Sequence, residues 1–350
     1  MRFWNQANPV HLIQAGHRRL RDKIKHDKIK YEKIKYEKIK YDRVKHDRVK
    51  CGKSNRMAES MKKTDTFFLI HNYNTVPEQL LSYCQDYLVV DASDDGVTPG
   101  LLEEKGIRFI SAENTGHNIT TYFRYFADHY EELPEVICIC KGNMLGRHCS
   151  EEYFQRVYDQ KFFTYLYEDR AGRARYAKAG SVRGEEDTEP SQISCLLSES
   201  QYIEENTSWY VDSPNHPNRY FDCLDDLLEF VFVDPVIPRY CLFSPGACYI
   251  LRREQILRHS PTFYRNLNKV MDYGLDPSFP SEAHMVERIL PLIFEAAYEE
   301  QPWMGKEADF DRKLEEREQQ MQQKEAERCS RQNSMLRRVV RRVRKTVRKK

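Results

Sequence analysis

Carboxylates and amides follow three short apolar runs in the first half of the chain. Asn72 ends TFFLIHN, Asp91 ends YLVVD with Asp94 and Asp95 just beyond it, and Asn114 lies in GIRFISAENTGHN. An Asp in such a place can accept hydrogen bonds from a ribose hydroxyl or a base N–H. Asp also commonly closes a turn or caps the following element. We predict a ligand pocket for Asp91 and leave both roles open for Asp94 and Asp95.

A second group of ionisable residues lies near the start of a predicted helix in the second half. Ser281 is a residue type that begins helices, and Glu282, His284 and Glu287 fall within the first two turns after it. A carboxylate or an imidazole there can act as a general base, because either side chain can accept a proton. The alternative is structural, with Glu287 paired to Arg288 and His284 a satisfied polar residue.

These residues need a scaffold that brings distant segments together, and the apolar pattern predicts one. Buried strands are predicted at Thr66–Tyr73, Tyr87–Gly96, Gly106–Asn118 and Glu135–Asn143. Helices are predicted after Pro77 and in NITTYFRYFADHY. The order strand, helix, strand, strand, helix, strand is typical of a doubly wound α/β sheet, in which ligands bind beyond the carboxyl ends of the strands. The polar residues after the apolar runs all lie at such ends.

Two groups of motifs carry a family resemblance. VVDASDDG followed by ENTGHN resembles the start of inverting GT-A glycosyltransferases, whose strand ends read roughly VVDDGSxDG and then ENxG. The later segments Ser244–Leu267 and Pro280–Glu295 are similar to a bacterial and fungal group described as glycosyltransferase-like. The resemblance covers about residues 64–304, and the short motifs agree with it in order and spacing. It implies a GT-A-like (Rossmann-like) doubly wound mixed sheet.

The resemblance also implies an activity, namely the transfer of a sugar from a nucleotide-sugar donor to a glycan or a lipid-linked saccharide. It places Asp91 on the base or ribose of the donor and Asn72 to Thr75 in the same pocket. In an inverting transfer a general base removes the proton of the acceptor hydroxyl, and Glu282 is the first candidate and His284 the second. The expected donor-binding residues are Asn72, Asn74, Asp91, Asp94, Asp95, Asn114 and Lys141.

The fourth strand end departs from the family pattern. Metal-dependent members have Asp-x-Asp there, which holds Mg²⁺ or Mn²⁺ against the donor diphosphate. This chain has Cys140-Lys141-Gly142-Asn143 instead. Three interpretations remain: Lys141 supplies the positive charge, Asp94, Asp95 or a downstream acid recruits Mn²⁺ or Mg²⁺, or the domain is a non-catalytic scaffold that binds glycan or nucleotide. The sequence does not identify metal ligands, and the scattered cysteines and histidines predict no zinc site.

The net charge of +2 hides an uneven distribution of charge. Residues 1–63 carry 20 Lys/Arg and 7 Asp/Glu, residues 331–350 carry 10 Lys/Arg and no acid, and residues 64–330 carry 26 Lys/Arg and 47 Asp/Glu. Residues 22–50 are near-copies of the pentad DKIKH, and a five-residue step rotates about 140° in a helix. The pentad Ile and Val residues therefore form no stripe, and the tract is interpreted as a charged spacer.

The C-terminal segment predicts a helical tail with a basic amphipathic end. Leu336, Val339, Val340, Val343 and Val347 fall on one helical stripe, and Lys and Arg occupy most of the other positions. This pattern favours an anionic membrane surface over a specific nucleic acid, because no base-stacking aromatics are interleaved. With no signal peptide or membrane-spanning run, the sequence predicts a cytoplasmic protein that is peripheral at the inner membrane surface.

The sequence therefore divides into five predicted parts. They are an N-terminal segment 1–21, the pentad spacer 22–50, a linker 51–63, a GT-A-like domain 64–304 and the helical tail 305–350.

Overall fold

The structure is a computed structural model that describes most of the chain beyond residue 62. The described residues are 63–115, 117–168, 202–207, 211, 218–272 and 280–347, with side chains described as far as 331 in the last helix. The predicted N-terminal segment, the pentad spacer and the linker up to residue 62 lie outside the described residues.

A six-stranded mixed sheet forms the centre of the fold. Its strands, with those of a second small sheet, are β1 (Thr64–Asn72), β2 (Cys84–Asp91), β3 (Phe109–Ser111), β4 (Val136–Lys141), β5 (Thr164–Tyr165), β6 (Tyr202–Glu205), β7 (Tyr240–Phe243) and β8 (Tyr249–Arg252). The main sheet has the order β3-β2-β1-β4-β8-β5, and β6 pairs with β7. Strands β1 to β4 run parallel, whereas β8 is antiparallel to both β4 and β5.

Helices cover both faces of the main sheet. They are α1 (Glu78–Leu81), α2 (Thr98–Glu104), α3 (His117–Asp128), α4 (Glu151–Val157), α5 (Leu224–Val231), α6 (Arg253–Ile256), α7 (Pro261–Met271), α8 (Ser281–Glu295) and α9 (Glu307–Val347). A 3-10 turn, Tyr130–Glu132, precedes β4. None of the helices in the described part of the chain carries an apolar stretch long enough to cross a bilayer.

The alternation of side chains along the central strands divides the core into two layers. Phe67 and Leu69 on β1 face the larger layer, which includes residues of α3, α7 and α8, while Phe68 and Ile70 face the smaller one, with residues of α2 and α4. Burial of one such aromatic or aliphatic side chain contributes about 1.5–3 kcal/mol to folding. Because both faces are covered, β1 is buried along almost its whole length, as expected for a parallel strand.

The smaller layer is rich in cysteine. Cys84, Cys138, Cys140, Cys149 and Cys248 are all buried in it, and none of them forms a disulfide in the described part of the chain. Cys138 and Cys140 are completely buried, as predicted from their shared face on β4. Among the described cysteines, Cys329 on α9 is the exposed one.

The predicted α/β class is confirmed, with a mixed sheet that is compatible with a Rossmann-like fold. One helix was missed: α2 lies between β2 and β3, where the sequence predicted a direct strand-to-strand connection. Its start at Thr98-Pro99-Gly100 reads as a turn, although Pro at the first helical turn is compatible with a helix because its nitrogen needs no partner there. The helix predicted from Pro77 is also shorter than expected, since Cys84 already belongs to β2.

The predicted helical tail is observed as α9, which continues through Val347. Phe310 and Leu314 are buried against the larger layer. Further along, Arg317 pairs with Asp226, and Lys324 and Arg328 pair with Asp222. The first half of α9 is therefore held on the domain by apolar packing and then by ion pairs.

Candidate functional site

Three strands deliver polar residues to one edge of the sheet. Asn72 at the end of β1 is in register with Asp91 at the end of β2, and the preceding His71 is in register with Lys141 at the end of β4. Parallel neighbours share their carboxyl edge, so strand ends that are far apart in sequence meet there. The structure therefore brings Asn72, Asp91 and Lys141 together, as predicted from the sequence.

A cavity of about 240 Å³ opens beside the ends of β1 and β4. Its lining is His71, Tyr73, Asn114, His117, Asn118, Lys141, Gly142, Asn143 and Arg147. The lining includes two cations and no carboxylate among the described residues, although residues 64–330 are strongly acidic overall. We refer to this space as the cationic cavity.

Lys141 and Arg147 are its two permanent positive charges. Lys141 is half-buried and Arg147 is exposed. Within the described part of the chain neither forms an ion pair, whereas most other described Lys and Arg residues do. Two neighbouring cations without carboxylate partners attract an anion, because bringing one in relieves their mutual repulsion.

A compact turn holds Arg147 beside the cavity. Arg147 N donates to the Met144 carbonyl at 3.2 Å, and Gly146 N donates to the Cys149 carbonyl at 2.8 Å. Gly146 has φ of +78°, a conformation that strains residues with a Cβ. Further along, the Glu168 side chain accepts from Ser150 N and Glu168 N donates to the His148 carbonyl. Arg147 is thus attached to a fixed backbone.

His71 contributes a polar but uncharged surface to the cavity. Its Nδ1 lies 3.0 Å from Thr121 Oγ1, and the side chain is buried. Burial, and then the nearby charge of Lys141, lower the pKa of His71 to about 3. The imidazole is therefore neutral at physiological pH and can exchange hydrogen bonds without adding charge.

Gly142 permits the close approach of the β1 and β4 ends. A Cβ at this position would collide with Asn72 Oδ1 and would lie 3.2 Å from Thr75 Cγ2. Gly142 N also donates to the His71 carbonyl at 2.8 Å, which extends the strand pairing by one residue. A side chain at residue 142 would displace Asn72 or separate the two strand ends.

The neighbouring half of the sheet edge contains the predicted carboxylates. We call this set, Asn72, Asn74, Asp91, Asp94 and Asp95, the acidic corner. Asn72 is fully buried, and its Nδ2 donates to Asp91 Oδ1 at 2.8 Å and to the Thr75 carbonyl at 2.7 Å. Ser93 Oγ donates to the same Asp91 oxygen at 2.7 Å. Asp91 is only 3% exposed, so a ligand could bind the Asn72–Asp91 pair only after displacing a protein group that now covers it.

Asp94 and Asp95 stabilise the loop after β2. Asp94 accepts from Tyr73 Oη and Asn74 Nδ2, both at 2.8 Å, and these bonds, led by that from Asn74, lower the pKa of Asp94. Asp95 accepts from Thr98 Oγ1 at 2.6 Å and from the amides of Val97 and Thr98 at 2.9 Å, and the Thr98 hydroxyl is the main cause of its lowered pKa. Of the two roles that the sequence left open for Asp95, ligand binding and closing a turn, the structure shows the second.

The start of α3 forms another wall of the cavity. Asn114 lines it, and His117 has φ of +59°, which is unusual for a residue with a side chain. Asn118 Nδ2 donates to the Gly246 carbonyl at 2.8 Å and so ties this wall to the loop between β7 and β8. A strained, non-glycine backbone beside a cavity is a common feature of binding sites.

Helix α8 brings His284 towards this wall. The rings of His284 and His117 lie 6.0 Å apart between centroids. One turn later, Glu287 Oε1 accepts from Gly246 N at 2.7 Å. Arg288 binds Glu204 with two nitrogens, at 2.8 and 2.7 Å, and its closest approach to Glu287 is 3.9 Å. The predicted Glu287–Arg288 pair is thus minor, because each residue has a nearer partner.

Glu282 lies elsewhere. It is completely buried, and its Oε1 accepts from the backbone amides of Arg219 and Tyr220, at 2.8 and 2.7 Å. It is not among the residues that line the cationic cavity. This geometry favours an anchoring role for Glu282 over the general-base role that the resemblance implied, because its oxygen already holds the chain entering α5. Ser281, expected as a cap, is instead the first residue of α8.

Several residues at the site were not predicted from the sequence, among them His71, His117, Asn118 and Arg147 in the cavity lining and the adjacent His148 and Gly246. A Cβ on Gly246 would lie 2.6 Å from the His148 ring, so the turn that carries Arg147 packs directly on the β7–β8 loop. Burial, then Lys141 and Arg147, lower the pKa of His148 to about 3. The turn signal in Asn143-Met144-Leu145-Gly146-Arg147 could have identified Arg147, because it places a cation just beyond a strand end.

The site residues do not fit a divalent metal ion. The described residues contain no cluster of three or more His, Cys, Asp or Glu side chains suited to a metal. Asp94 and Asp95 use both carboxylate oxygens within their own loop. Mg²⁺ and Mn²⁺ prefer several oxygen ligands around one centre, and the cationic cavity presents amines and imidazoles instead.

Comparisons of the chain with protein-family models, with curated proteins and with solved structures gave no match in any of the three.

Proposed function

We propose that this chain is a GT-A-like glycosyltransferase that transfers a sugar from a nucleotide-sugar donor to a glycan or a lipid-linked saccharide. The main support is the cationic cavity at the carboxyl edge of the sheet, which offers Lys141 and Arg147 to an anionic donor. The Asn72–Asp91 pair at the ends of the neighbouring strands β1 and β2 supports the same proposal. Its position suits a nucleoside that extends from the diphosphate.

The transfer proceeds in one displacement. The acceptor hydroxyl oxygen forms a bond to the anomeric carbon while the bond from that carbon to the diphosphate oxygen breaks. The hydroxyl proton passes to a general base, and the nucleoside diphosphate leaves with its charge stabilised by Lys141 and Arg147. We assign the base to His284, because it lies near the cavity wall whereas Glu282 is committed to two backbone amides.

Nucleotide release from a panel of sugar donors tests this proposal. Purified full-length protein is incubated with UDP-, GDP- and CMP-sugars, with and without Mn²⁺, and the released nucleotide is quantified. We expect release from at least one donor, and a decrease of about 100-fold or more for His284→Gln. His129→Gln, at an exposed histidine just after α3, is the matched control and should retain the wild-type rate. No release from any donor, and no change in thermal stability with any nucleotide, would reject the proposal.

A non-catalytic scaffold is the alternative, and the sequence at the end of β4 favours it. Cys140-Lys141-Gly142-Asn143 stands where metal-dependent enzymes of the resembled family carry Asp-x-Asp. Such a scaffold would bind a nucleotide or a glycan and release nothing. Binding of a nucleotide sugar without turnover, across a panel of saccharide acceptors, would support the scaffold over the enzyme.

We further propose that the end of α9 holds the protein on an anionic membrane surface. The helix has 41 residues, which corresponds to about 62 Å at 1.5 Å per residue. Arg328 on this helix still pairs with Asp222 of the domain, and the basic amphipathic segment begins further along, at Leu336. Removal of residues 331–350 should abolish sedimentation with liposomes that contain phosphatidylserine, and neutral liposomes serve as the control. Unchanged sedimentation would contradict this part of the proposal.

A further inference from the structure

The end of β4 offers positive charge where a metal-dependent transferase offers carboxylates. Lys141 and Arg147 both line the cationic cavity, and no carboxylate in the described residues pairs with either one. The two charges also act on the same neighbour, since both contribute to the lowered pKa of His148. A bound polyanion can therefore contact both side chains in one place.

The carboxylates that could otherwise recruit a metal are already engaged. Asp94 is bound by Tyr73 and Asn74, and Asp95 by Thr98 and Val97. Asp91 is buried and accepts from Asn72 and Ser93. A metal at Asp94 or Asp95 would compete with hydrogen bonds that stabilise the loop after β2, and Asp91 is only 3% exposed.

Lys141 and Arg147 have the complementary properties that a diphosphate needs. Lys141 is half-buried at a strand end, where a point charge is less screened by water than on an open surface. Arg147 presents a planar guanidinium that can bind two phosphate oxygens at once, and its turn fixes the backbone. Neutral His71 adds a hydrogen-bonding group without drawing in a counter-ion.

We infer that the cationic cavity binds the diphosphate of a nucleoside diphosphate directly through Lys141 and Arg147, without a divalent metal ion. This inference rests on the proposed function and specifies how the same site holds its donor. It predicts that chelators do not affect nucleotide binding and that neutralising either cation weakens it.

Calorimetric titration of full-length protein with UDP, GDP, CDP and inorganic pyrophosphate tests the inference. Each titration is made in EDTA and again in Mn²⁺. For at least one of these probes we expect the same affinity in both buffers, and a decrease of about tenfold or more in affinity for Lys141→Met, with a similar decrease for Arg147→Met. Lys105→Met is the matched control, because Lys105 is a surface lysine paired with Glu78 and should bind as the wild type does.

The possible outcomes separate the inference from the proposed function. Nucleotide binding that requires Mn²⁺ would overturn the inference and leave a metal-dependent transferase in place. Metal-independent binding that survives both substitutions would overturn the assignment of the two cations. Absence of binding to every probe in both buffers would overturn the inference and the proposed function together. Circular dichroism and thermal unfolding of each variant confirm that a lost affinity does not reflect a lost fold.

Discussion

The two halves of the sheet's carboxyl edge handle charge in opposite ways. In the acidic corner, Asp91, Asp94 and Asp95 each accept hydrogen bonds from nearby residues of the same edge. In the cationic cavity, Lys141 and Arg147 have no carboxylate partner among the described residues. The comparison teaches that a charged residue at a strand end is most available to a ligand where the fold provides it with no partner of opposite charge.

The physical reason is the cost of removing charge from water. A buried carboxylate such as Asp91 must be paired or hydrogen-bonded, so the fold has to supply its donors locally. A half-exposed lysine or an exposed arginine keeps part of its hydration. It can therefore remain without a protein partner, at little desolvation cost, until a ligand binds. The acidic corner is therefore built for stability, whereas the cationic cavity is free for binding.

Reversing a charge in the cationic cavity should have the largest effect. Lys141→Glu replaces attraction by repulsion at the diphosphate, and we expect affinity for UDP or GDP to fall by about 100-fold or more with the fold retained. Equilibrium binding measures the change. Arg258→Glu, an exposed arginine after α6, is the control for charge alone. Equal losses in the two variants would show that the overall field of the protein, and not this cavity, controls binding.

Breaking the acidic corner should affect stability first. Asn72→Ala leaves Asp91 buried without its amide donor, and we expect the free energy of unfolding to fall by about 2–3 kcal/mol. Urea unfolding measures the decrease. Asp94→Asn is the control, because the hydrogen bonds of Asp94 are exposed to water and their loss should lower the free energy of unfolding much less than the loss at Asn72. If Asn72→Ala were as stable as the wild type, the hydrogen bonds of the acidic corner would not contribute to the stability of the fold, and this prediction would be wrong.

A side chain between the two halves should separate them. Gly142→Ala places a Cβ against Asn72 Oδ1, and we expect about 1–3 kcal/mol of destabilisation measured by urea unfolding. Gly100→Ala is a matched control in α2, where a Cβ meets nothing within 4 Å. That substitution should instead stabilise the protein by about 0.5–1 kcal/mol, because alanine favours the helix. The same sign of change at both positions would contradict the close approach at Gly142.

The pH dependence of stability should report the burial of His71 through an effect that is small near neutral pH and grows as the pH decreases. The pKa of His71 is about 3 in the folded protein, whereas an ordinary histidine, as in the unfolded chain, has a pKa of 6.5. Between these values the unfolded chain binds the proton that the folded one excludes, so stability falls as the pH decreases from about 6.5 towards 3. The contribution is about 1.4 kcal/mol per pH unit, and His71→Gln should flatten the curve by that amount. Parallel curves for the two proteins would contradict the burial of a neutral imidazole.

Local sequence located the apolar runs of the strands, although β2 and β3 end at Asp91 and Ser111, earlier than the predicted Gly96 and Asn118. The apolar runs before Asn72, Asp91 and Lys141 mark buried strands, and parallel pairing then requires their ends to meet. The doubly wound order was predictable for the same reason, apart from α2, whose Thr-Pro-Gly start resembles a turn.

The roles of individual side chains depended on partners far away in the chain. Glu282 holds the amides of Arg219 and Tyr220, more than 60 residues earlier, and nothing near Glu282 in the sequence indicates this. Arg147 belongs to the site because a turn folds it back beside β1. The sequence predicts the carboxylates of the acidic corner as donor-binding residues, but it does not show that the fold supplies their hydrogen-bond donors.

The buried thiols of the smaller core layer can be used to measure how often that layer opens. Five thiols lie between the sheet and the α2 and α4 face, and burial raises the pKa of Cys248 to about 12 and that of Cys84 further still. They can react with a thiol reagent only when this layer separates, whereas Cys329 on α9 reacts from the native state. The slow phase of alkylation therefore measures how often the smaller core layer opens. If a nucleotide bound at the carboxyl edge of the sheet slows this phase, the decrease in rate measures how much binding stabilises the closed layer.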